Sequence, residues 1–201
     1  RVYLPYAESV TIGPDQASMQ RIPNSDFFEH HLSQSLPEHY SLNWHDKDGL
    51  LHHTIDPYSF DTIMPEFDRH LFGEGQHWHI YQKLGAHLRT VDGIEGVYFA
   101  VWAPNAERVS VVGAFNHWDG RCHPMRNLGA SGLWELFIPG LSEGCLYKFE
   151  ILNRHSGEVL VKTDPYGQQF EFRPQTAAIV TDSKRYQWSD QHWINNRKHR
   201  D

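Results

Sequence analysis

The stretch that most restricts the fold runs from Val97 to Gly120, VYFAVWAPNAERVSVVGAFNHWDG. Val97, Phe99 and Val101 alternate with Tyr98, Ala100 and Trp102. A period of two with apolar residues in both sets reads as a strand whose two faces are both partly covered. Ala103-Pro104-Asn105 stops it, because proline has no N–H to give a ladder and asparagine favours turns. Val109 to Ala114 is a second, β-branched run, and Phe115-Asn116-His117-Trp118-Asp119-Gly120 is an aromatic-bearing loop that ends in turn chemistry. Strand, turn, strand and a tryptophan displayed on a loop make a platform for a flat ligand.

The flanking sequence reads the same way. Val10 and Ile12 alternate with Ser9 and Thr11 ahead of a Gly13-Pro14-Asp15 turn, and Tyr40, Leu42 and Trp44 share one face. Leu51, His53 and Ile55 follow an Asp48-Gly49 turn suited to closing a hairpin. Pro65 to Leu71 predicts a short helix with Phe67 and Leu71 one turn apart, ended by Gly73-Glu74-Gly75. Beyond it, strands are predicted at 97–102, 108–114, 133–138, 145–152 and 158–162, with an edge strand at Ala177 to Val180. The fold class expected is all-β: two tandem immunoglobulin-like β-sandwiches joined by a short, partly helical linker. The divisions are 1–64, a first sandwich truncated at its start; 65–96, a linker and lead-in; 97–185, the second sandwich; and 186–201, an exit linker.

The totals exclude several classes of function. A formal charge of -7 argues against nucleic acid as a partner, and no apolar run reaches the length of a membrane span. No signal peptide opens the chain, which begins Arg1-Val2-Tyr3-Leu4-Pro5 in mid-strand character, as a piece of a longer protein would. Two cysteines, Cys122 and Cys145, are expected as free thiols in a reducing cytoplasm. Fifteen histidines make the charge steep below neutral pH. Their clusters, Glu29-His30-His31, His52-His53 and His77-Trp78-His79, do not predict a metal, since neighbours on a strand point to opposite faces and no cysteine pair supports them. No phosphate-binding glycine loop precedes a helix, and no cofactor is expected.

WAPNAERVSVVGAFNHWDG, together with HPMR at 123–126, GLWELFIPG at 132–140, YKFEI at 147–151 and TDPYG at 163–167, resembles the carbohydrate-binding module family 48 sandwich of glycogen branching enzymes, in the α-amylase superfamily. The first 60 residues resemble, less sharply, the extra N-terminal β domain of bacterial members, and His77 to His87 resembles the segment joining the two domains. The resemblance implies a cytoplasmic parent that cleaves an α-1,4 bond, holds the chain as a glycosyl-enzyme and transfers it to a 6-hydroxyl. It also implies that the carboxylates for that chemistry lie on a (β/α)₈ barrel, which nothing in these residues resembles, so no catalytic residue is expected here.

What these residues offer instead is sugar binding. An indole presents a flat apolar surface to the C–H face of a pyranose, and Trp118 is so placed. On the 146–150 strand, Tyr147 and Phe149 turn one way and Lys148 the other, leaving its ammonium to donate to hydroxyls. In related modules the tryptophan of the FNxW loop and the lysine of the YKF strand contact glucan, which matches Trp118 and Lys148; Asn116 either joins them or braces the turn. Glu158 to Pro165 lacks the second stacking tryptophan of glycogen-targeting relatives, so a weak site is expected. Trp134 shares a face with Leu136 and Ile138 and reads as core, and Asp164 as a turn former or interdomain contact. The partners expected are α-1,4-glucan (glycogen, maltooligosaccharides) and a catalytic barrel of the same parent. Two rivals remain: a scaffold that never touches sugar, and the corresponding region of a debranching or trehalose-forming relative.

Overall fold

The computed structural model describes residues 1–31, 35–183, 185 and 188–197. Strands β1 (Val2–Tyr3), β2 (Ala7–Ile12), β3 (Ala17–Arg21), β4 (Phe27–Glu29), β5 (Ser41–Asp46) and β6 (Leu51–Ile55) form one antiparallel ladder in the order β1-β4-β3-β2-β5-β6. Strand β3 serves two neighbours, pairing with β2 through Ala17 to Met19 and with β4 through Gln20 and Arg21. The ladder bends there, and Val10, Met19, Phe28 and Leu42 meet in one core. The Asp48-Gly49 turn closes the β5–β6 hairpin, with Gly49 at a φ of 78° that suits glycine.

Helix α1 (Glu66–Gly73) follows, its first turn carrying Glu66 and Asp68 at the positive end of the helix dipole. The Asp68 carboxylate pairs with Lys83 at 2.6 Å and with His77 at 3.1 Å, which pulls Gln76 to Lys83 back onto the helix. Then come β7 (Gly85–Val91), β8 (Ile94–Trp102), β9 (Ala106–Gly113), β10 (Arg126–Asn127), β11 (Leu133–Pro139), β12 (Leu146–Asn153), β13 (Val159–Lys162), β14 (Gln169–Phe170) and β15 (Ala178–Ile179), before helix α2 (Gln191–Arg197). One sheet has the order β10-β11-β8-β7; in the other, β12 pairs with β9 on one side and with β13 and β15 on the other. The described chain is therefore mostly strand, in several antiparallel sheets.

Three elements differ from the sequence expectation. Strand β7 is a full partner of β8 from Gly85 to Val91, although polar His87 and Arg89 hide its alternation. Strand β15 lies between β12 and β14, so it is an inner strand and not an edge. In the exit segment, 191–197 is helical, whereas residues 186, 187 and 198–201 lie outside the described residues.

Strands β8 and β11 are buried on both faces, as the double alternation of Val97 to Trp102 required. Val97, Phe99, Trp134, Leu136 and Ile138 face β9 and β12, joined by Val109, Val111, Tyr147 and Phe149. Tyr98, Ala100, Leu133 and Phe137 face the other way, against Phe60, Met64 and Leu84. That second face contains Glu135, which is only 2% exposed. Its carboxylate accepts hydrogen bonds from the backbone N–H groups of Ile63 and Met64 and from the Tyr98 hydroxyl, all at 2.9 Å. Arg126 adds a bond to the Phe60 carbonyl at 2.8 Å. An amide at position 135 would turn an N–H₂ toward at least one of those donors. Glu135→Gln is therefore expected to destabilise the chain by roughly 1–3 kcal/mol, read as a lower urea midpoint at unchanged slope.

Candidate functional site

The loop after β9 begins at Gly113, whose extended backbone lies so close to the Leu146 carbonyl and the Phe115 ring that a Cβ would collide with both. One 3₁₀ turn, Ala114–Asn116, follows. Asn116 holds it from inside: at 4% exposure, its Oδ1 accepts from Gly113 N–H at 2.9 Å and its Nδ2 donates to the Val111 carbonyl at 2.8 Å. Those two backbone partners fix the amide orientation, so the same Nδ2 also donates to His123 Nδ1 at 2.9 Å. All of its polar capacity that the fold uses is internal, which makes Asn116 a positioning residue.

His117 and Trp118 then take consecutive left-handed conformations, φ 54° and 61°. A bulky residue costs of order 1–3 kcal/mol there, and such strain persists only where surrounding contacts over-determine it. Here the contact is Trp118 N–H to the Gly113 carbonyl at 2.9 Å. The result is a Trp118 side chain that is 41% exposed at the end of β9. Asp119 and Arg121 close the loop with an ion pair at 2.8 Å, which holds the Asp119 carboxyl below the usual range.

Register places the rest. Lys148 lies opposite Val112, and Glu150 opposite both Ser110 and Val161, so these side chains share the outer face of the β9–β12–β13 sheet. Tyr147 and Phe149 turn inward, as the alternation predicted. Gly120 leans on that outer face, since a Cβ there would strike the Glu150 carboxylate, itself paired with Arg108 at 2.6 Å. Lys148 Nζ donates to Thr176 Oγ1 at 2.8 Å. That face carries Lys148 and the half-exposed Val159 and Val161, and the Trp118 backbone is tied to Gly113, the residue after the Val112 that lies opposite Lys148. Val161 is expected from the sequence to suit an added aromatic if it shares the Lys148 face, and the register puts it there; Thr176 and Val159 escaped sequence reasoning, because only a hydrogen bond and the strand register join them to Lys148.

The buried carboxylates are occupied by the fold. Asp164, 1% exposed, accepts from the Tyr147 hydroxyl at 2.5 Å and from Tyr166 N–H at 2.8 Å, and burial pushes its own pKa up. Trp134 is core, its indole N–H donating to the Ala103 carbonyl. Cys122 and Cys145 are both free thiols, and burial pushes that of Cys122 up to about 12. Among the described residues no three His, Cys, Asp or Glu side chains cluster as metal ligands, and no helix is long and apolar enough to cross a membrane.

A two-sheet antiparallel module that displays a strained aromatic loop is built as a β-sandwich. Residues 83–167 match the family model of carbohydrate-binding module 48 (isoamylase N-terminal domain). The chain as a whole corresponds to a region of the GlgB branching enzymes. It is 55% identical to the 1,4-alpha-glucan branching enzyme GlgB of Cellvibrio japonicus (strain Ueda107) over 100% of its length, and 54% identical to that of Methylococcus capsulatus (strain ATCC 33009 / NCIMB 11132 / Bath) over 98%. It spans only 28% and 27% of those two relatives. Among solved structures, PulA from Klebsiella oxytoca matches 94% of this chain and 20% of its own, at 19% identity and a TM-score of 0.42.

Two measurements test the loop. Trp118→Gly removes the backbone strain at φ 61°, so thermal stability, read as the melting temperature, is expected to hold or rise. Burial lowers the His123 pKa to about 4, and its Nδ1 must stay unprotonated to accept from Asn116. The unfolded chain takes up this proton near pH 6.5 and the folded chain only near 4. The unfolded state therefore binds more protons in between, and stability falls as pH drops through that window, by of order 2–3 kcal/mol. His123→Gln should flatten this part of the urea-stability profile; a profile unchanged by the substitution would remove His123 as its cause.

Proposed function

We propose that this chain is the non-catalytic glucan-binding and positioning region of a 1,4-α-glucan branching enzyme. In the parent, an α-1,4-glucan segment is cleaved and transferred to a 6-hydroxyl, on a barrel that carries the catalytic carboxylates. The observation that carries the reading is the strained, exposed Trp118 on the loop that follows β9, in residues that match a carbohydrate-binding family model. The pyranose C–H face stacks on the indole, Lys148 donates to hydroxyls, and Asn116 holds the loop in place. We place the units at 1–64 and 97–185, joined by 65–96 and followed by 186–201; a core of its own under β1 to β5 supports the first, whereas Phe60, Met64 and β7 pack with the second. Two free thiols suit a reducing, cytoplasmic setting.

Stacking one sugar face removes about 60–100 Å² of apolar surface from water, worth roughly 1.5–2.5 kcal/mol. Hydrogen bonds to hydroxyls add about 1 kcal/mol each, and ordering costs oppose both. A dissociation constant near ~1 mM for a short maltooligosaccharide follows. Trp118→Ala should weaken maltoheptaose binding about tenfold or more, and Lys148→Ala less. Val161, 53% exposed on the Lys148 face, is where an added ring would reach the ligand; Val161→Trp should tighten binding. NMR titration of the folded variants reads all three. Equal affinity in wild type and Trp118→Ala would move the site elsewhere, and no shifts in either would favour a scaffold that never touches sugar. The chain alone should make no α-1,6 linkages from amylose, read by debranched chain lengths.

A further inference from the structure

The loop that displays Trp118 has two supports. One is internal, the Asn116 amide with its partners at Gly113, Val111 and His123. The other comes from the N-terminal ladder and the turn that follows it, which bring three tyrosines to the loop. Tyr6, in the turn between β1 and β2, sets its ring against that of His117, with centres 4.4 Å apart and 57° between planes. The Arg121 guanidinium sits over the Tyr3 ring of β1, 5.4 Å from its centre. Tyr58 Oη, from the 3₁₀ turn Pro57–Ser59, donates to the Pro124 carbonyl at 3.0 Å.

These contacts fall where the loop needs them. His117 is the first of the two left-handed residues, and its backbone N–H reaches the Ala114 carbonyl at a long 3.3 Å. The Tyr6 ring restrains that residue from outside, next to the one that bears the indole. Arg121 is the cation of the ion pair that closes the loop on Asp119, and the Tyr3 ring seats it. Pro124 lies on the return limb, between His123 and Met125, whose backbones bond those of Val111 and Val109. A brace carries load only when its far end is fixed, and two of these are. Tyr3 packs on Phe27 at 5.1 Å, and Tyr58 N–H donates to Asp56, which also accepts from the Tyr40 hydroxyl.

We propose that the N-terminal ladder braces the Trp118 loop, with Tyr6 as the positioning residue that sets the fraction of molecules in which the indole is displayed. A site that is competent in only part of the population loses affinity by that fraction. Removing the brace therefore weakens binding without touching Trp118 or Lys148. The brace rests on the contacts above; that the loop is held for glucan rests on the reading under Proposed function.

Amide hydrogen exchange and maltoheptaose titration of the 201-residue chain, both read by ¹H–¹⁵N NMR, test this. The Trp118 amide is the probe, because its N–H bonds the Gly113 carbonyl across the loop. Tyr6→Ala is expected to speed exchange there roughly three- to tenfold and to weaken maltoheptaose binding by a similar factor. The paired β8–β11 amides should keep their wild-type rates. Tyr6→Phe keeps the ring and should restore both readouts. Wild-type exchange at Trp118 in Tyr6→Ala would overturn the brace, whether binding weakens or not, and so would faster exchange with unchanged affinity. Equal acceleration at β8–β11 would make Tyr6 a support of the whole fold and overturn its role as a positioning residue. If the wild-type chain binds no maltoheptaose, the glucan reading fails, and exchange at Trp118 alone decides the brace. If Tyr6→Ala fails to fold, Tyr58→Phe deletes a single oxygen: faster exchange at Trp118 supports the brace, and wild-type rates overturn it.

Discussion

The Glu135 carboxylate is the constraint on which the arrangement of the chain depends. It sits on a strand buried from both sides, and three donors converge on it: two from consecutive backbone amides at 63 and 64, one from Tyr98. A buried carboxylate is costly when unpaired. Its solution here is to recruit the chain that leaves the N-terminal ladder. Residues 60 to 64 are thereby drawn across the β8–β11 sheet, where Phe60 and Met64 cover Tyr98 and Phe137. An apolar residue at 135 would leave the two amides without acceptors, so the connecting segment and the strand are specified together.

The same economy governs the loop that bears Trp118. Asn116, buried, satisfies one backbone donor, one backbone acceptor and one imidazole nitrogen. This side chain holds β9, the 3₁₀ turn and the segment at His123 together, and so sustains two left-handed residues in a row. The strain at 117 and 118 is offset by contacts made a few residues away, and what it achieves is display: an indole held out of the core on a rigid mount.

Much of this was legible in the sequence. The double alternation from Val97 to Trp102 read correctly as a strand covered twice, because its period carries the information whatever the neighbours are. Tyr147 and Phe149 inward with Lys148 outward followed from the same rule, as did Trp134 in the core. Strand β7 was not legible, because His87 and Arg89 interrupt its apolar pattern and its place depends on pairing with β8. Nor was the tie from Glu135 to residues 63 and 64, some seventy positions apart in sequence. Glu135 looks like any solvent-facing residue of a half-buried strand until the chain that covers it is in place. The face shared by Lys148, Thr176 and Val161 joins three segments through strand register and one hydrogen bond, which no local pattern encodes.

Consecutive left-handed residues at 117 and 118 have a mechanical consequence. The left-handed basin is narrow for a residue with a Cβ, so neither residue can drift by small steps without leaving it. The loop therefore answers a load by holding its shape or by giving it up, and does not bend by degrees.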